Sequence, residues 1–186
     1  MTEVPFCGLR LLAQPGKVMT PRSTTEALVE AAVERIGDRP ARVADVGTGS
    51  GAGAVAVAAR AANARVWATD TSCDAVRLAR ANVSRHGLGD RISVVHGDLL
   101  EGVPEGLDLV VANLPYLADH LRGYRPELAG EPPAAVFASG DGLDPYRRLL
   151  AACGPALDSR GALAIQLHGR VVTCEAADLD RLELAA

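Results

Sequence analysis

The chain is poor in aromatic residues, which make up 3% of its 186 residues as one Trp, three Tyr and two Phe. This scarcity excludes a core built on large rings. Hydrophobic residues still account for 48% of the chain. We therefore expect a core of small aliphatic side chains on closely packed helices and strands. A chain of this length is sufficient for one domain with a substantial core.

The cysteines lack the spacing of a disulfide framework or a zinc site. Cys7, Cys73, Cys153 and Cys174 lie far apart, with no C-x-x-C pair and no cluster of histidines. We expect free thiols, no metal site and a reducing, cytoplasmic location. The four histidines, at 86, 96, 120 and 168, are expected to be surface or packing residues.

Long apolar runs and an excess of basic charge are also missing. No stretch approaches the roughly 20 apolar residues that span a bilayer, and no secretory leader pattern is present, so no membrane segment is expected. The net charge of −4 provides no basic field for phosphate backbones, which makes a nucleic-acid partner less expected.

An alternation of short apolar strands and helices sets the fold class as α/β. Such alternation predicts right-handed crossovers and a mostly parallel sheet with helices on both faces. The predicted strands are 42–46, 65–69, 92–96, 107–112 and 162–167, and the predicted helices are 25–36, 51–62, 72–86 and 145–157. Ser23 or Thr24 could cap the first helix, with Glu26 at capping-box distance, and Ser72 could cap the third.

The expected domain organisation is a single domain over residues 1–186. Residues 1–20 would form an irregular strand pair or hairpin that makes a lip on the domain, and residues 21–169 the core. Residues 170–186 have only a modest helical pattern around Leu179, Leu182 and Leu184, so their role is left open. The sequon at Asn82 falls inside a predicted helix and is given no weight.

A glycine-rich turn follows the first core strand. The segment Asp45-Val46-Gly47-Thr48-Gly49-Ser50-Gly51-Ala52-Gly53 leaves a strand and opens a helix. Glycines there permit tight turning and close approach of a ligand, and the helix start offers free N–H groups. The spacing also fits the G-x-G-x-x-A dinucleotide fingerprint, so a nicotinamide enzyme is an alternative.

Carboxylates at three successive strand ends favour a nucleoside ligand without phosphates. Asp45 precedes the glycines, where it would crowd a pyrophosphate but could face a cationic ligand. Asp70 ends the second strand, where it can accept both ribose hydroxyls. Asp98, followed by Leu99, offers an acceptor for an adenine amino group and an apolar contact for the ring.

The tetrapeptide Asn113-Leu114-Pro115-Tyr116 ends the next strand and suits a planar amide or amino nitrogen. The Asn113 side-chain oxygen and the Leu114 carbonyl can accept two N–H bonds, and the Tyr116 ring can cover the flat face. Pro115 biases Leu114 to an extended conformation, which would hold its carbonyl in place. An ordinary turn after a strand is the alternative for the tetrapeptide alone.

Taken together, these motifs resemble the methyltransferase domain of the HemK/PrmC family, S-adenosylmethionine-dependent enzymes that methylate a glutamine amide of peptide release factors. The resemblance runs from Phe6 to about Gly169. It implies a Rossmann-like class I methyltransferase fold with S-adenosylmethionine as cofactor and a protein substrate. The residues that it rests on are Phe6 to Leu9, Thr20 to Arg22, Glu26 to Val29, Asp45 to Ala52, Asp70, Asp98, Asn113 to Tyr116, Arg125 to Leu128, Gly140 to Leu143 and Gly161 to Leu163.

The resemblance also implies the roles of individual residues. The cofactor would be held by Asp45, Gly47, Thr48, Gly49, Ser50, Gly51, Asp70, Thr71, Asp98, Leu99 and Asn113, with Gly47 to Gly51 around its methionine part, Asp70 on the ribose, and Asp98 and Leu99 on the adenine. The acceptor amide would be held by Asn113, Leu114, Pro115 and Tyr116. No metal would be needed.

The chain departs from the family pattern at several places. Leu114 occupies a position that is normally Pro, Thr24 stands where an acidic residue is frequent, no helical domain precedes Phe6, and the core ends soon after Leu167. The last departure suggests a dimer or a partner subunit at an open sheet edge. The alternatives are methylation of the exocyclic amine of adenine in DNA or RNA, and a partner-dependent or vestigial cofactor-binding module.

Overall fold

A twisted six-stranded sheet forms the centre of the protein in a computed structural model that describes residues 1–184, except for the side chain of Glu127. The strand order is β10-β9-β6-β3-β4-β5, with β10 antiparallel to β9 and the other neighbours parallel. Its strands are β3 Ala41–Val46, β4 Ala64–Asp70, β5 Ile92–His96, β6 Leu107–Ala112, β9 Leu157–Leu167 and β10 Arg170–Glu175. The predicted α/β class with a mostly parallel sheet is confirmed.

Helices cover both faces of the sheet. They are α1 Glu26–Ile36, α2 Ala52–Arg60, α3 Cys73–Arg85 and α4 Asp144–Ala156. Because successive side chains of a strand point to opposite faces, Val43 packs with α1 and α2 whereas Ala44 packs with α4. Both cores consist largely of Ala, Val and Leu, as the composition predicts.

The N-terminal segment is the expected hairpin, formed by β1 Thr2–Phe6 and β2 Leu9–Ala13. Its β2 strand is fastened to α3 by the fully buried Asn82, whose side chain bonds both the N–H and the carbonyl of Leu12, at 2.8 and 3.0 Å. The same side-chain amide donates to the carbonyl of Ser50 in the glycine-rich turn, at 2.8 Å. Asn82 therefore joins the hairpin, the helix and the turn.

The start of α1 differs from the predicted capping box. Residues Ser23–Thr25 form a 3₁₀ turn, and no side chain caps either this turn or α1. Glu26 accepts a hydrogen bond from the N–H of Cys7 at 2.9 Å instead. The Glu26 carboxylate therefore binds the hairpin and does not form the predicted capping box. The predicted Ser72 cap of α3 is present, with Ser72 Oγ accepting from the Ala75 N–H at 3.3 Å.

The C-terminal segment contains a strand that the sequence did not predict. Residues Arg170–Glu175 form β10, which pairs with β9, and a 3₁₀ helix follows over Ala176–Arg181. The two strands are joined by His168 and Gly169, which have φ of +50° and +77°. A two-residue turn with both φ positive matches the twist of a hairpin. The expected 170–186 segment ends with two residues that lie outside the described range.

The connection between β6 and α4 is long and contains little regular structure. It includes the short parallel strands β7 Leu117–Ala118 and β8 Phe137–Ala138, together with 3₁₀ helices at Asp119–Tyr124, Pro126–Leu128 and Pro133–Ala135. Among residues 1–184, no helix has the length and apolar character needed to cross a bilayer. The side chains that the structure describes contain no cluster of His, Cys, Asp and Glu that could hold a metal ion.

Candidate active site

A cavity of about 470 Å³, the large cavity, opens at the carboxyl ends of β3, β4, β5 and β6. This is where ligands bind in open α/β sheets, and the size suits a small-molecule ligand. Its walls carry Val46, Gly47, Gly49, Thr69, Asp70, Thr71, Ser72, Ala75, Gly97, Asp98, Leu99, Asn113, Leu114 and Pro115, together with Lys17, Val18, Met19, Pro132, Ala134, Ala135, Pro145 and Arg148.

The glycine-rich turn forms one wall of the large cavity. Gly47 has φ of +69°, a conformation that glycine adopts without strain. A Cβ at this position would lie 2.6 Å from Leu114 Cδ2. The Leu114 side chain therefore packs directly on the glycine backbone, so that the turn and the tetrapeptide are in contact.

Asp70 is held by the two loops on either side of it. One of its carboxylate oxygens accepts the N–H of Gly49 and the other accepts the N–H of Ser72, each at 2.9 Å. A carboxylate has about four acceptor sites. Asp70 therefore retains acceptor capacity on the cavity wall, in an orientation fixed by two main-chain donors.

Asp45 lies beneath the turn rather than on the wall of the large cavity. It is 7% exposed, and one carboxylate oxygen accepts both the Thr48 hydroxyl at 2.6 Å and the Ala54 N–H at 2.9 Å. Burial is the main cause that raises the pKa of Asp45 to about 6, with a smaller contribution from Asp70. Asp45 contributes to a second, smaller cavity of about 90 Å³ between the turn and α1.

Asp98 and Leu99 lie on the far wall of the large cavity. Asp98 forms an ion pair with Arg148 from the first turns of α4, and Arg148 also lines the cavity. Leu99 has φ of +50°, and its carbonyl accepts the Thr69 hydroxyl at 2.6 Å. The Arg148 guanidinium of α4 therefore pairs with the Asp98 carboxylate, which the sequence predicted to bind an adenine.

Asn113 lines both cavities, and its carboxamide has a defined orientation. Its amino group donates to Thr25 Oγ1 at 3.1 Å and to Gln166 Oε1 at 2.8 Å. Both N–H bonds are thereby used, and no hydrogen-bond donor from residues 1–184 reaches Oδ1. The side-chain oxygen of Asn113 is the acceptor that remains for a ligand.

The carbonyl of Leu114 is fixed by Tyr146 of α4. The Tyr146 hydroxyl accepts the Leu114 N–H at 2.9 Å and lies 3.0 Å from the Leu114 oxygen and 2.7 Å from the Gln166 oxygen. Tyr146 is 1% exposed, and this burial raises the pKa of its phenol well above the ordinary value. The Leu114 carbonyl therefore has a second restraint, the Tyr146 hydroxyl, in addition to the one predicted from Pro115.

The Tyr116 ring lies beside the tetrapeptide but outside the lining of the large cavity. It makes an edge contact with the His168 ring, with centroids 4.9 Å apart and planes at 66°. His168 belongs to the turn between β9 and β10, so Tyr116 is supported by the hairpin that the sequence did not predict. His168 is exposed and its ring contacts Tyr116, which fits the surface or packing role expected of the histidines.

Most of the predicted site residues meet at these cavities. Gly47, Gly49 and Asn113 line both cavities; Asp45, Thr48 and Ser50 line the smaller one; and Asp70, Thr71, Asp98, Leu99, Leu114 and Pro115 line the larger. Gly51 and Tyr116 line neither. Gly51 instead begins α2 and packs on Ala79, where a Cβ would lie 3.0 Å from the Ala79 backbone.

Sequence reasoning missed the residues that support the tetrapeptide and those that close the large cavity. Tyr146 and Gln166 contact it from 32 and 53 positions away along the chain. Neither belongs to a motif that points to position 113. Lys17, Met19, Pro132 and Arg148 come from segments without a binding pattern.

Comparison with known proteins identifies the fold and the family. A family model described as "Methyltransferase small domain" matches residues 22–125. The solved structure of a ribosomal protein L11 methylase from Lactobacillus delbrueckii subsp. bulgaricus superposes with a TM-score of 0.57 and 26% identity, over 78% of this chain and 61% of that one.

Curated relatives carry the name "Release factor glutamine methyltransferase". The one from Deinococcus radiodurans is 39% identical, covering 95% of this chain and 63% of its own length. The one from Xylella fastidiosa (strain 9a5c) is 42% identical, covering 81% and 55% respectively. The chain thus spans little more than half the length of these relatives. Their names confirm the predicted resemblance, and the match to more than half of the chain shows that this protein belongs to the methyltransferase small domain family.

Proposed function

We propose that this chain transfers a methyl group from S-adenosylmethionine to the side-chain amide nitrogen of a glutamine in a protein. A peptide release factor is the substrate that the relatives' names suggest. The observation that carries the proposal is the free Asn113 Oδ1, next to the Leu114 carbonyl, on the wall that also carries Asp70. A release factor acts in translation, so the expected location is the cytoplasm.

The residues of the large cavity fit this cofactor. Asp70 offers oriented acceptors for a ribose diol, and Leu99 offers an apolar contact for a base. The backbone of Gly47 and Gly49 permits close approach of the methionine part. Once bound, S-adenosylmethionine supplies an electrophilic methyl group on a positively charged sulfur.

The role of the tetrapeptide is to aim the acceptor nitrogen. An amide nitrogen is a poor nucleophile because its lone pair is conjugated with the carbonyl. Two N–H bonds directed at Asn113 Oδ1 and the Leu114 oxygen would turn the nitrogen toward the methyl group, and both acceptors would strengthen their bonds as positive charge develops. Tyr116 and Pro115 complete the proposed acceptor site.

The cavity rim disfavours a nucleic-acid substrate. Arg148 of the large cavity is ion-paired with Asp98, and Arg22 of the smaller cavity is ion-paired with Glu131. Binding of a phosphate backbone depends on cations that can neutralise phosphates. Methylation of adenine is therefore the less favoured activity, and the methyl-transfer assay would detect it.

A methyl-transfer assay tests the function. The chain is incubated with S-adenosylmethionine carrying a radiolabelled methyl group and a purified bacterial release factor, and the labelled residue is located by mass spectrometry. We expect label on one glutamine of the unaltered factor and none on a factor with that glutamine replaced by glutamate. Label on an adenine-containing oligonucleotide instead would establish the alternative activity, and no transfer to either would indicate a binding module.

The partner at the sheet edge is a separate prediction. The edge strands of the sheet are β10 and β5, and an edge strand carries main-chain groups that can pair with another chain. Light scattering coupled to size-exclusion chromatography would distinguish a dimer from a monomer. Full transfer activity in a monomeric peak would exclude a required second copy.

A further inference from the structure

Gln166 of β9 is a buried polar residue whose side chain bridges two parts of the site. It is 3% exposed. Its Nε2 donates to the main-chain carbonyl of Thr24 at 2.5 Å, and its Oε1 accepts from Asn113 Nδ2 at 2.8 Å. A buried carboxamide needs such partners to offset its desolvation.

These contacts leave only one orientation for both amides. The Thr24 carbonyl only accepts hydrogen bonds, so Gln166 must turn its amino group toward it. Gln166 Oε1 then faces Asn113, and because this oxygen also only accepts, Asn113 must present its own amino group. The oxygen of Asn113 is left for the ligand.

We propose that Gln166 is the positioning residue that makes Asn113 a hydrogen-bond acceptor. The proposal rests on the proposed function, in which Asn113 Oδ1 receives an N–H of the substrate amide. If the Asn113 carboxamide were flipped, its amino group would face the amino group of the substrate amide. Both groups are hydrogen-bond donors, so no hydrogen bond could form. Gln166 disfavours this arrangement because its own orientation is fixed by the Thr24 carbonyl, in the 3₁₀ turn before α1.

The main chain of Gln166 supports the second acceptor. The Tyr146 hydroxyl has one proton, and the Gln166 oxygen lies closer to it, at 2.7 Å, than the Leu114 oxygen, at 3.0 Å. A carbonyl oxygen has two lone pairs, so the Leu114 carbonyl can accept the second N–H of the substrate while it keeps its contact with the Tyr146 hydroxyl. Gln166 therefore contacts both arms of the proposed amide site: its side chain bonds Asn113, and its main-chain carbonyl bonds the Tyr146 hydroxyl.

Two substitutions separate orientation from general stability. Gln166→Leu removes both side-chain hydrogen bonds. We expect kcat to fall by roughly tenfold to a hundredfold, as for a misplaced reacting group, and the affinity for S-adenosylhomocysteine to stay unchanged.

Gln166→Glu introduces a carboxyl that, when protonated, donates and accepts hydrogen bonds as the amide does. Its activity relative to the unaltered protein should therefore rise as the pH falls, and that of Gln166→Leu should not. Gln14→Leu, in the turn after β2, is the matched control.

Nuclear magnetic resonance gives a readout that does not depend on activity. The side-chain amide signals of Asn113, assigned with the Asn113→Ala variant, should show slow hydrogen exchange in the unaltered protein and fast exchange in Gln166→Leu. Unchanged exchange, or an unchanged kcat in an active enzyme, would overturn the role of Gln166. An unaltered protein that methylates no release factor would overturn the proposed function instead, and the exchange data would then decide the role of Gln166 alone.

Discussion

At the scale of single residues, the proposed acceptor site is held by side chains from three elements. Asn113 and Leu114 directly follow β6, Tyr146 comes from α4, and Gln166 from β9. The direction of a main-chain carbonyl can be restrained by a proline ring or by a hydrogen bond. The Tyr146 hydroxyl supplies a hydrogen bond to the Leu114 carbonyl, so this carbonyl can be fixed although residue 114 is Leu and not Pro.

Replacing Asn113 by Ala tests the proposed acceptor role. The variant loses one acceptor for the substrate amide, so we expect kcat/KM for a release factor to fall roughly 10²- to 10³-fold, the range for removing one group that stabilises developing charge. Calorimetry should show an affinity for S-adenosylhomocysteine within a few-fold of the original. The exposed Asn63→Ala variant is the control, and an unchanged rate in Asn113→Ala would remove this residue from the mechanism.

Asp45 should make stability depend on pH. Its folded-state pKa is about 6, raised mainly by burial from 3.8. The folded protein therefore binds the proton more tightly than the unfolded chain, and the resulting stabilisation is fully present below pH 3.8 and is lost as the pH rises to about 6. The shift corresponds to about 3 kcal/mol at most.

Urea unfolding at several pH values between 4 and 7.5 measures this contribution. Asp45→Asn cannot ionise, so the difference in unfolding free energy between it and the original should change over this range. Asp90→Asn, at an exposed position, controls for the loss of one formal charge. A free-energy difference for Asp45→Asn that does not vary with pH would contradict the assignment.

The predictable part of the site is the part that lies at the carboxyl ends of the strands. Strand ends in a parallel sheet meet at one edge, so the residues at 70, 98 and 113 could be placed together from periodicity alone. Tyr146 and Gln166 could not, because their contacts depend on how α4 and β9 pack on β6. The orientation of the Asn113 amide depends on the same packing.

At the scale of elements, two strands were predicted to the residue. The predicted strands 92–96 and 107–112 coincide with β5 and β6. β10 was missed because its residues are half-buried or exposed, and an edge strand with little burial lacks the apolar pattern of a central one. The signal that could have found it is His168-Gly169, two residues that suit the positive φ of a tight hairpin turn.

The link between the hairpin, α3 and the glycine-rich turn depends on Asn82. Asn82→Ala would leave the Leu12 N–H and the carbonyls of Leu12 and Ser50 without these partners. Unsatisfied buried groups are costly, so we expect a loss of about 2–3 kcal/mol in the free energy of unfolding. Ser84→Ala, exposed on the same helix, should change it by less than about 0.5 kcal/mol. Equal urea midpoints for the two variants would show that the hairpin is held in another way.

At the scale of the whole molecule, two segments far apart in sequence close the large cavity from opposite sides. Lys17, Val18 and Met19 line one rim and Pro132, Ala134 and Ala135 the other. Glu131 connects them: its carboxylate accepts the Thr20 N–H and pairs with Arg22, both at 3.2 Å. The long connection before α4 is thereby attached to the segment that follows the hairpin.

Glu131→Ala should loosen this attachment. Hydrogen bonds to a charged group are worth about 1.5–3 kcal/mol, so the open form should be populated roughly tenfold more or greater. Trypsin cleavage after Arg122, followed by mass spectrometry, should accelerate accordingly, because opening exposes the connection. Glu105→Ala, at an exposed turn before β6, is the matched control and should cleave at the original rate. If Glu131→Ala and Glu105→Ala are cleaved equally fast, the two rims are held together by their apolar contacts and the ion pair between Glu131 and Arg22 has no role in closing the cavity.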